Sequence, residues 1–398
     1  MKKNIFKIQP YLLTNEIQNY AWGQKNEDAF IPKLLGLKPK KNMPYAELWI
    51  GAHPKAPSKI MKRSLLELIE EFPDEILGEE MNVKFSGKLP FLMKVLTAGE
   101  ALSIQAHPNK SQAEVLHAKD PEHYPDDNHK PEIAIALDDL TALVGFRTIP
   151  ELIELLSEYS PIDEFVSGEL LKGSDQKESL KSYYSEIMTQ AEANPDNLEE
   201  VLVKMDKLIS NKLKNSEADE LFIELRKKYG SDVGLFSLYL FNLVHLKQGE
   251  AVFLDAGIPH AYLKGNIIEC MANSDNVVRA GLTPKFKDIS TLVDVLTYET
   301  GIPEIMKADE NSSETEYKVP IPEFSIILKE MNAGQDNKIL NDKLEIFIIT
   351  EGKIQIDSDD FTQTFIKGDT ILIPAALEDY SISAIENTTI YSAFIPEN

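Results

Sequence analysis

The sequence predicts a mainly-β fold with an α insertion, made of two small jelly-roll β-barrels and a helical unit placed within the first. Three observations carry that expectation. Short β-type runs separated by turn residues fill residues 1–147 and 247–398, apolar residues between them recur at helical spacing, and a twelve-residue pattern occurs twice.

In the first β-rich part, Leu89 to Leu96 and Ala101 to His107 have strand texture. The change to helix comes at Thr148-Ile-Pro-Glu151, which has the form of a capping box with Pro150 tolerated in the first turn. Leu198, Val201, Leu202, Met205, Leu208 and Ile209 then make one apolar helical stripe. Glu217 to Lys228 reads as another helix, and Val233 to Leu246 as a more buried one that ends at His245. Strand texture returns at Glu250 to Asp255. It continues through Phe324–Leu328, Leu344–Thr350, Lys353–Ile356, Phe361–Ile366, Thr370–Pro374 and Thr388–Phe394, with turns such as Glu351-Gly352 and Lys367-Gly368-Asp369 between them. The resulting division is 1–147 with 247–318 as one β domain, 148–246 as the helical insertion, and 319–398 as a second β domain.

The repeat sets Gly249-Glu-Ala-Val-Phe-Leu-Asp-Ala-Gly-Ile-Pro-His260 over Gly368-Asp-Thr-Ile-Leu-Ile-Pro-Ala-Ala-Leu-Glu-Asp379. In each, Gly and an acidic residue open a short apolar strand. The first copy ends on His260 and the second on Asp379. This pattern resembles the second motif of the cupin superfamily, so the chain reads as two cupin-type barrels, of which only the first keeps a metal-binding histidine.

The 398 residues carry 41 Lys and Arg against 65 Asp and Glu, a net charge of −24. Such a surface repels nucleic acid and anionic lipid, so neither is an expected partner. An anionic substrate would need a local cluster of Lys and Arg. The lone cysteine, Cys270, excludes an internal disulfide and thiolate-rich zinc sites. Met1 to Pro10 lacks the apolar core of a signal peptide and Val233 to Leu246 is too short to span a bilayer, so the expected location is the cytoplasm.

Seven histidines are present, and most have bland readings as surface or packing residues. His107 stands apart. Strand alternation puts Ser103, Gln105 and His107 on one face, and Pro108 ends the strand just beyond them. Pro131 biases Lys130 toward extended backbone, so Lys130 and Glu132 share a face. An ammonium and a carboxylate inside a barrel call for a metal or an anionic ligand to offset them. Gln105, His107, Glu132 and His260 together offer two imidazoles, a carboxylate and an amide oxygen, a set that suits zinc and that iron or manganese would also accept.

At these residues the sequence resembles the type I mannose-6-phosphate isomerase family. The likeness runs through Tyr20-Ala-Trp-Gly23, Glu47-Leu-Trp-Ile-Gly-Ala-His-Pro54, Leu89-Pro-Phe-Leu-Met-Lys-Val-Leu96, Ser103-Ile-Gln-Ala-His-Pro108 and Asn128-His-Lys-Pro-Glu132. It continues in Gly257-Ile-Pro-His-Ala-Tyr262 and in the long run from Glu269 to Lys285. The resemblance implies two cupin-type domains with a helical insertion and one zinc per chain on Gln105, His107, Glu132 and His260. It also implies interconversion of mannose 6-phosphate and fructose 6-phosphate. Beyond about residue 320 the match is generic.

An aldose–ketose isomerisation removes a proton beside a carbonyl and returns it to the neighbouring carbon through an enediolate. Arg279 lies in a turn-rich stretch without apolar pattern, and the resemblance implies that it is catalytic; the competing reading pairs it with Asp275. Glu269, Asp275, Lys130 and His129 are candidates for the base, with Glu269 preferred, and Tyr262 is placed to relay a proton. Ser103, Lys94, Arg279 and Lys285 are the candidate phosphate contacts, and Trp22, Glu47 and Trp49 the expected neighbours of the pocket. The rival readings are a cupin oxygenase using two His and one carboxylate, and a catalytically silent sugar-phosphate-binding protein. The expected assembly is a monomer or a dimer.

Overall fold

A computed structural model describes residues 6–309 and 312–397. Residues 1–5, half of the opening stretch Met1 to Pro10, lie outside the described residues.

The first β unit is organised around one long strand, His260–Ala272, which pairs antiparallel with Phe91–Ala98 on one side and Glu132–Ala136 on the other. The sheet continues outward through Glu47–Gly51 and Glu16–Gln18 in one direction, and through Ala251–Leu254 and Ile305–Met306 in the other. The N-terminal end of the long strand also pairs with Leu140–Phe146 and, at His260, with Ile104–Ala106. Period-two alternation divides this sheet by chemistry. Met93, Val95, Ile133, Ile135, Ile268 and Cys270 face a core shared with Ile326, Ile346, Leu372 and Tyr391 of the C-terminal unit. Lys94, Glu132 and Glu269 occupy the alternate positions, all buried.

The expected stripe is present on helix Pro195–Ser210, which buries Leu198, Val201, Leu202, Met205 and Ile209. Helix Ile149–Glu158 begins at Thr148, whose N–H donates to the Glu151 carboxylate at 2.9 Å. Helix Glu217–Tyr229 also lies where it was expected. The segment from Val233 to Leu246 does not: a 3-10 turn Val233–Phe236 and one helical turn Ser237–Leu240 lead into strand Phe241–Leu246, paired with Leu140–Phe146. Continuous apolarity suits a buried strand as well as a helix, and here the partner strand decides. Asn242 secures the strand across the bulge at Gly145, its amide donating to the Val144, Phe146 and Gly301 carbonyls at 3.0, 3.0 and 2.8 Å. His245 therefore ends no helix; it is an exposed strand residue 2.9 Å from Glu217. Short helices Leu65–Glu71, Pro73–Leu77 and Glu79–Lys84 interrupt what reads in sequence as β texture, and helix Lys110–Lys119 lies in the polar stretch around His117 and His123, which reads as helix and loop.

The C-terminal unit packs a sheet of Glu314–Tyr317, Ser325–Met331, Glu345–Glu351, Thr370–Ile373 and Thr388–Phe394 against a four-stranded one. Phe347, Ile349, Ile354, Ile356, Phe365 and Ile371 fill the space between them. Strand Tyr11–Leu13 crosses over to pair with Thr370–Leu372 of this unit. The two copies of the repeat share one order of elements, a short strand (Ala251–Leu254 or Thr370–Ile373) followed by a strand that opens at His260 or Asp379; Asp379 is exposed and His260 is buried. Among the described residues no helix is long and apolar enough to cross a membrane.

Candidate active site and metal centre

Strand Ile104–Ala106 buries Ile104 and Ala106 in the core, which leaves Gln105, with Ser103 before it and His107 after it, on the opposite face. Gln105 lies across from His260 on one side and from Arg279 on the other. Three adjacent strands thus deliver His260, Gln105 and Arg279 in a row, spanning roughly 10 Å at the spacing of paired strands.

The His107 Nδ1 donates to the Asn276 carbonyl at 2.8 Å, and the His260 Nδ1 to the Ile258 carbonyl at 2.9 Å. Those bonds set the tautomer and leave each Nε2 as a lone pair. Both lone pairs meet Glu132, whose Oε1 is 2.8 Å from the His260 Nε2 and 3.6 Å from the His107 Nε2. Acceptor faces acceptor, in a site from which water is excluded: the His107 Nε2 and both Glu132 oxygens are buried without a hydrogen-bond partner. Protonating the imidazole does not relieve this at neutral pH, because burial, and then the nearby Lys130, push the His107 pKa down to about 4. A divalent cation does relieve it, and His107, Glu132 and His260 lie close enough to share one. The Gln105 amide is 3.4 Å from the His260 Nε2, and a half-turn of that amide presents its oxygen as a fourth donor.

Lys130 shares the face with Glu132 as its spacing predicts, with Nζ 3.4 Å from Oε2. Burial resists the Glu132 charge, but Lys130 and the two imidazoles outweigh it and hold the carboxyl well below its usual range. Lys94 sits between Trp49 and Glu269 in the sheet register. Its Nζ is 2.7 Å from Glu269 and 3.8 Å from Glu47, whose other oxygen accepts from the Trp49 indole N–H at 2.6 Å. Lys94 is therefore engaged by carboxylates rather than free for an anion. Burial pushes the Glu269 carboxyl above its usual range, with Glu132 adding to and Lys94 opposing that shift.

Asp275 contacts the Lys55 Nζ at 2.8 Å and the His53 Nε2 at 3.4 Å, so the competing reading that pairs it with Arg279 does not hold. Burial opposes the Asp275 charge, and contacts with His53 and Lys55 overcome it, leaving the carboxyl well below its ordinary range. Among the described residues no carboxylate lies within ion-pair distance of Arg279, and burial alone acts on its guanidinium, lowering its proton affinity. The Tyr262 hydroxyl is buried without a partner; burial, then Glu132 and Glu269, keep it protonated. His129 is directed elsewhere, 2.8 Å from Glu323, which removes it from the candidate bases.

Gln105, Lys94, Lys130, Tyr262, Glu269, Asp275 and Arg279, with Trp22, Ser103 and Lys285, line a cavity of about 900 Å³. Its six cationic side chains are matched in number by carboxylates, so the positive cluster expected from the acidic composition is smaller than the residue types suggest. Lys55, Lys94, Lys130 and Lys228 are each held by a carboxylate, and Arg279 and Lys285 remain for an anion. Lys228 and Asp232 reach the cavity from the helical insertion, and Asn276 orients His107 through its backbone; none of these carries a sequence signal of its own.

Fold and site together define an enzyme-like cavity built on β-sheets, with a buried His–Glu–His cluster fit to hold a metal ion beside it. The comparisons narrow this. Residues 11–149 match the catalytic domain of phosphomannose isomerase type I, and residues 155–241 its helical insertion domain. Mannose-6-phosphate isomerase of Schizosaccharomyces pombe is 38% identical over 410 residues, covering 96% of this chain and 99% of that protein. The human mannose-6-phosphate isomerase is 37% identical, covering 88% and 89%. A crystal structure of a phosphomannose isomerase mutant from Salmonella typhimurium superimposes with a TM-score of 0.88 at 32% identity, over 98% of this chain and 100% of the other. A mannose 6-phosphate isomerase bound with zinc and yttrium superimposes with a TM-score of 0.87 at 32% identity, again over 98% and 100%. The chain belongs to the type I phosphomannose isomerase family.

Proposed function

We propose that the cavity interconverts mannose 6-phosphate and fructose 6-phosphate, with one zinc held by Gln105, His107, Glu132 and His260. The aldose–ketose isomerase activity follows from family membership. The observation that carries the assignment of the site is the buried meeting of unpartnered acceptors on His107 and Glu132, with the His260 Nε2 2.8 Å from the same carboxylate. When bound there, zinc supplies an electrophile that orients the sugar oxygens and polarises the carbonyl.

Glu269 is the base. Its raised proton affinity makes it a better acceptor for the proton on the carbon beside the carbonyl, and Lys94 beside it keeps it ionised and in place. Glu269 then returns the proton to the neighbouring carbon. Arg279, unpaired and partly dehydrated, stabilises the negative charge that develops on the enediolate oxygens. Tyr262 stays protonated and donates to a sugar oxygen, and Lys130 supports ring opening by neutralising charge next to Glu132. Asp275, kept ionised by His53 and Lys55, accepts from a sugar hydroxyl during that step. Ser103 and Lys285 bind the phosphate, while Lys94 tunes Glu269. Trp22 and Trp49 wall the sugar.

The catalytic unit comprises 1–147 and 247–313 with strand Phe241–Leu246 joined to it, the insertion supplies Lys228 and Asp232, and the C-terminal unit opens at strand Glu314–Tyr317, ahead of the boundary at residue 319 read from sequence. The unpaired, buried Cys270 suits a reducing compartment such as the cytoplasm.

Hydrogen exchange in D2O tests the base. Glu269→Gln is expected to abolish deuterium incorporation at carbons 1 and 2 while retaining metal and sugar binding. Normal incorporation in that variant would remove Glu269 from the role.

A further inference from the structure

We propose that Asp232, a residue of the helical insertion, is a positioning residue for the phosphate-binding loop of residues 282–285, so that the insertion sets the affinity for the phosphorylated end of the substrate. This rests on the reading of Lys285 as a phosphate contact.

Asp232 is 6% exposed and precedes the 3-10 turn Val233–Phe236. Its carboxylate is occupied by backbone. Oδ1 accepts from the Gly234 N–H and the Leu282 N–H, both at 2.8 Å, and Oδ2 from the Thr283 N–H at 3.3 Å. One carboxylate therefore ties its own turn to two consecutive peptides of the loop that leaves strand Val278–Gly281. The contact passes on along the loop, because the Thr283 Oγ1 accepts from the Lys285 N–H at 3.1 Å.

Two further features show that the loop is held against its own preference. Leu282 has φ +52°, a left-handed conformation that a branched side chain rarely adopts and that persists only where neighbours enforce it. Gly234 and Gly281 also touch backbone to backbone. A Cβ on Gly281 would lie 2.5 Å from the Gly234 Cα, and one on Gly234 would lie 2.7 Å from the Leu282 nitrogen. Insertion and loop thus meet at a junction with no room for side chains, closed by a charge-assisted bridge.

The bridge also explains a carboxylate in a cavity that takes a phosphate. Free in the cavity, Asp232 would repel the substrate. Spent on three N–H groups, it leaves Lys285 exposed at the rim without a carboxylate partner among the described residues. Lys287, 3.9 Å from Oδ2, is the one cation within ion-pair distance of Asp232 among the described residues.

The test compares Asp232→Ala, Asp232→Asn, Lys285→Ala and the double variant Asp232→Ala/Lys285→Ala as zinc-loaded enzymes. Steady-state kinetics with mannose 6-phosphate and competitive inhibition by inorganic phosphate are the readouts. Asp232→Ala is expected to raise KM and the inhibition constant of phosphate by about tenfold or more, with kcat within about threefold and zinc content unchanged. Asp232→Asn keeps the Oδ1 acceptor for Leu282 and falls between. In the Asp232→Ala background, Lys285→Ala adds little, since the lysine has already lost its place. An unchanged phosphate inhibition constant in Asp232→Ala, beside a raised one in Lys285→Ala, overturns the inference, and so do fully additive effects in the double variant. An unchanged constant in Lys285→Ala overturns instead the phosphate reading beneath it. Should Asp232→Ala not fold, Asp232→Asn bears the comparison, and phosphate inhibition equal to the parent's would overturn the proposal.

Discussion

On the proposed zinc site, removing the metal would leave three buried acceptor atoms, one on His107 and two on Glu132, without partners, and their cost can be estimated from the structure. An unsatisfied buried group costs about 1–3 kcal/mol, and Lys130, 3.4 Å from Glu132, offsets part of that, so the metal-free protein should lose roughly 3 kcal/mol. Unfolding entropy for a chain of this length is about 0.8 kcal/mol per kelvin, which converts the loss to a fall of about 4 °C in melting temperature. Glu132→Gln separates this cost from a general weakening of the fold. The amide can turn its NH2 toward the His260 lone pair, replacing acceptor against acceptor with a hydrogen bond. Metal-free Glu132→Gln should therefore melt above the metal-free parent, and added zinc should stabilise the parent but hardly move the variant. Calorimetry of both proteins, chelated and reloaded, makes the comparison. A metal-free variant that melts below the metal-free parent would refute the reasoning, because Glu132 would then be satisfied within the protein itself.

Arg279→Ala should lower kcat by about 10²–10³ while keeping zinc and fold, the range for removing one preorganised donor from a developing charge; turnover near that of the parent would end its assigned role. Activity should fall on the acid side as Glu269 takes up a proton, at a pH above the ordinary carboxylate range because burial raises its pKa. Lys94→Met removes the cation that opposes that shift, so the acid limb of the kcat/KM profile should move to higher pH; a move downward would contradict the pairing. Asp126→Ala should weaken zinc binding by about 10–100-fold through positioning alone. The Asp126 carboxylate accepts from the Ser274 hydroxyl and the Asp275 N–H, both at 2.7 Å, and so holds the loop whose Asn276 carbonyl orients His107. A chain shortened to residues 1–318 should not fold, as judged by circular dichroism. It would expose Met93, Val95, Ile133, Ile135 and Ile268, each worth about 1.5–3 kcal/mol of burial, together comparable with the whole stability of a domain.

The parts of the site that sequence revealed are those fixed by period and repeat. Alternation alone placed Gln105 with His107 and Lys130 with Glu132, and the repeat marked His260, because each depends on backbone geometry over two to twelve residues. What sequence did not reveal depends on pairing across the fold. Nothing local says that Asp275 turns to His53 and Lys55 rather than to Arg279, or that Lys94 is claimed by Glu269 across the sheet. The strand Phe241–Leu246 reads as helix for the same reason, since an apolar run becomes strand or helix according to its partner. The capping box at Ser64 and Glu67 is a sequence signal that marks the start of helix Leu65–Glu71 within a stretch of β texture.

The central claim, that isomerisation depends on the metal cluster, is tested most directly by titrating zinc into chelator-stripped protein while following fructose 6-phosphate formation from mannose 6-phosphate. Turnover should rise in proportion to bound zinc and level off at one per chain, with ferrous iron failing to substitute. Full zinc occupancy without turnover, or full turnover without metal, would contradict the account.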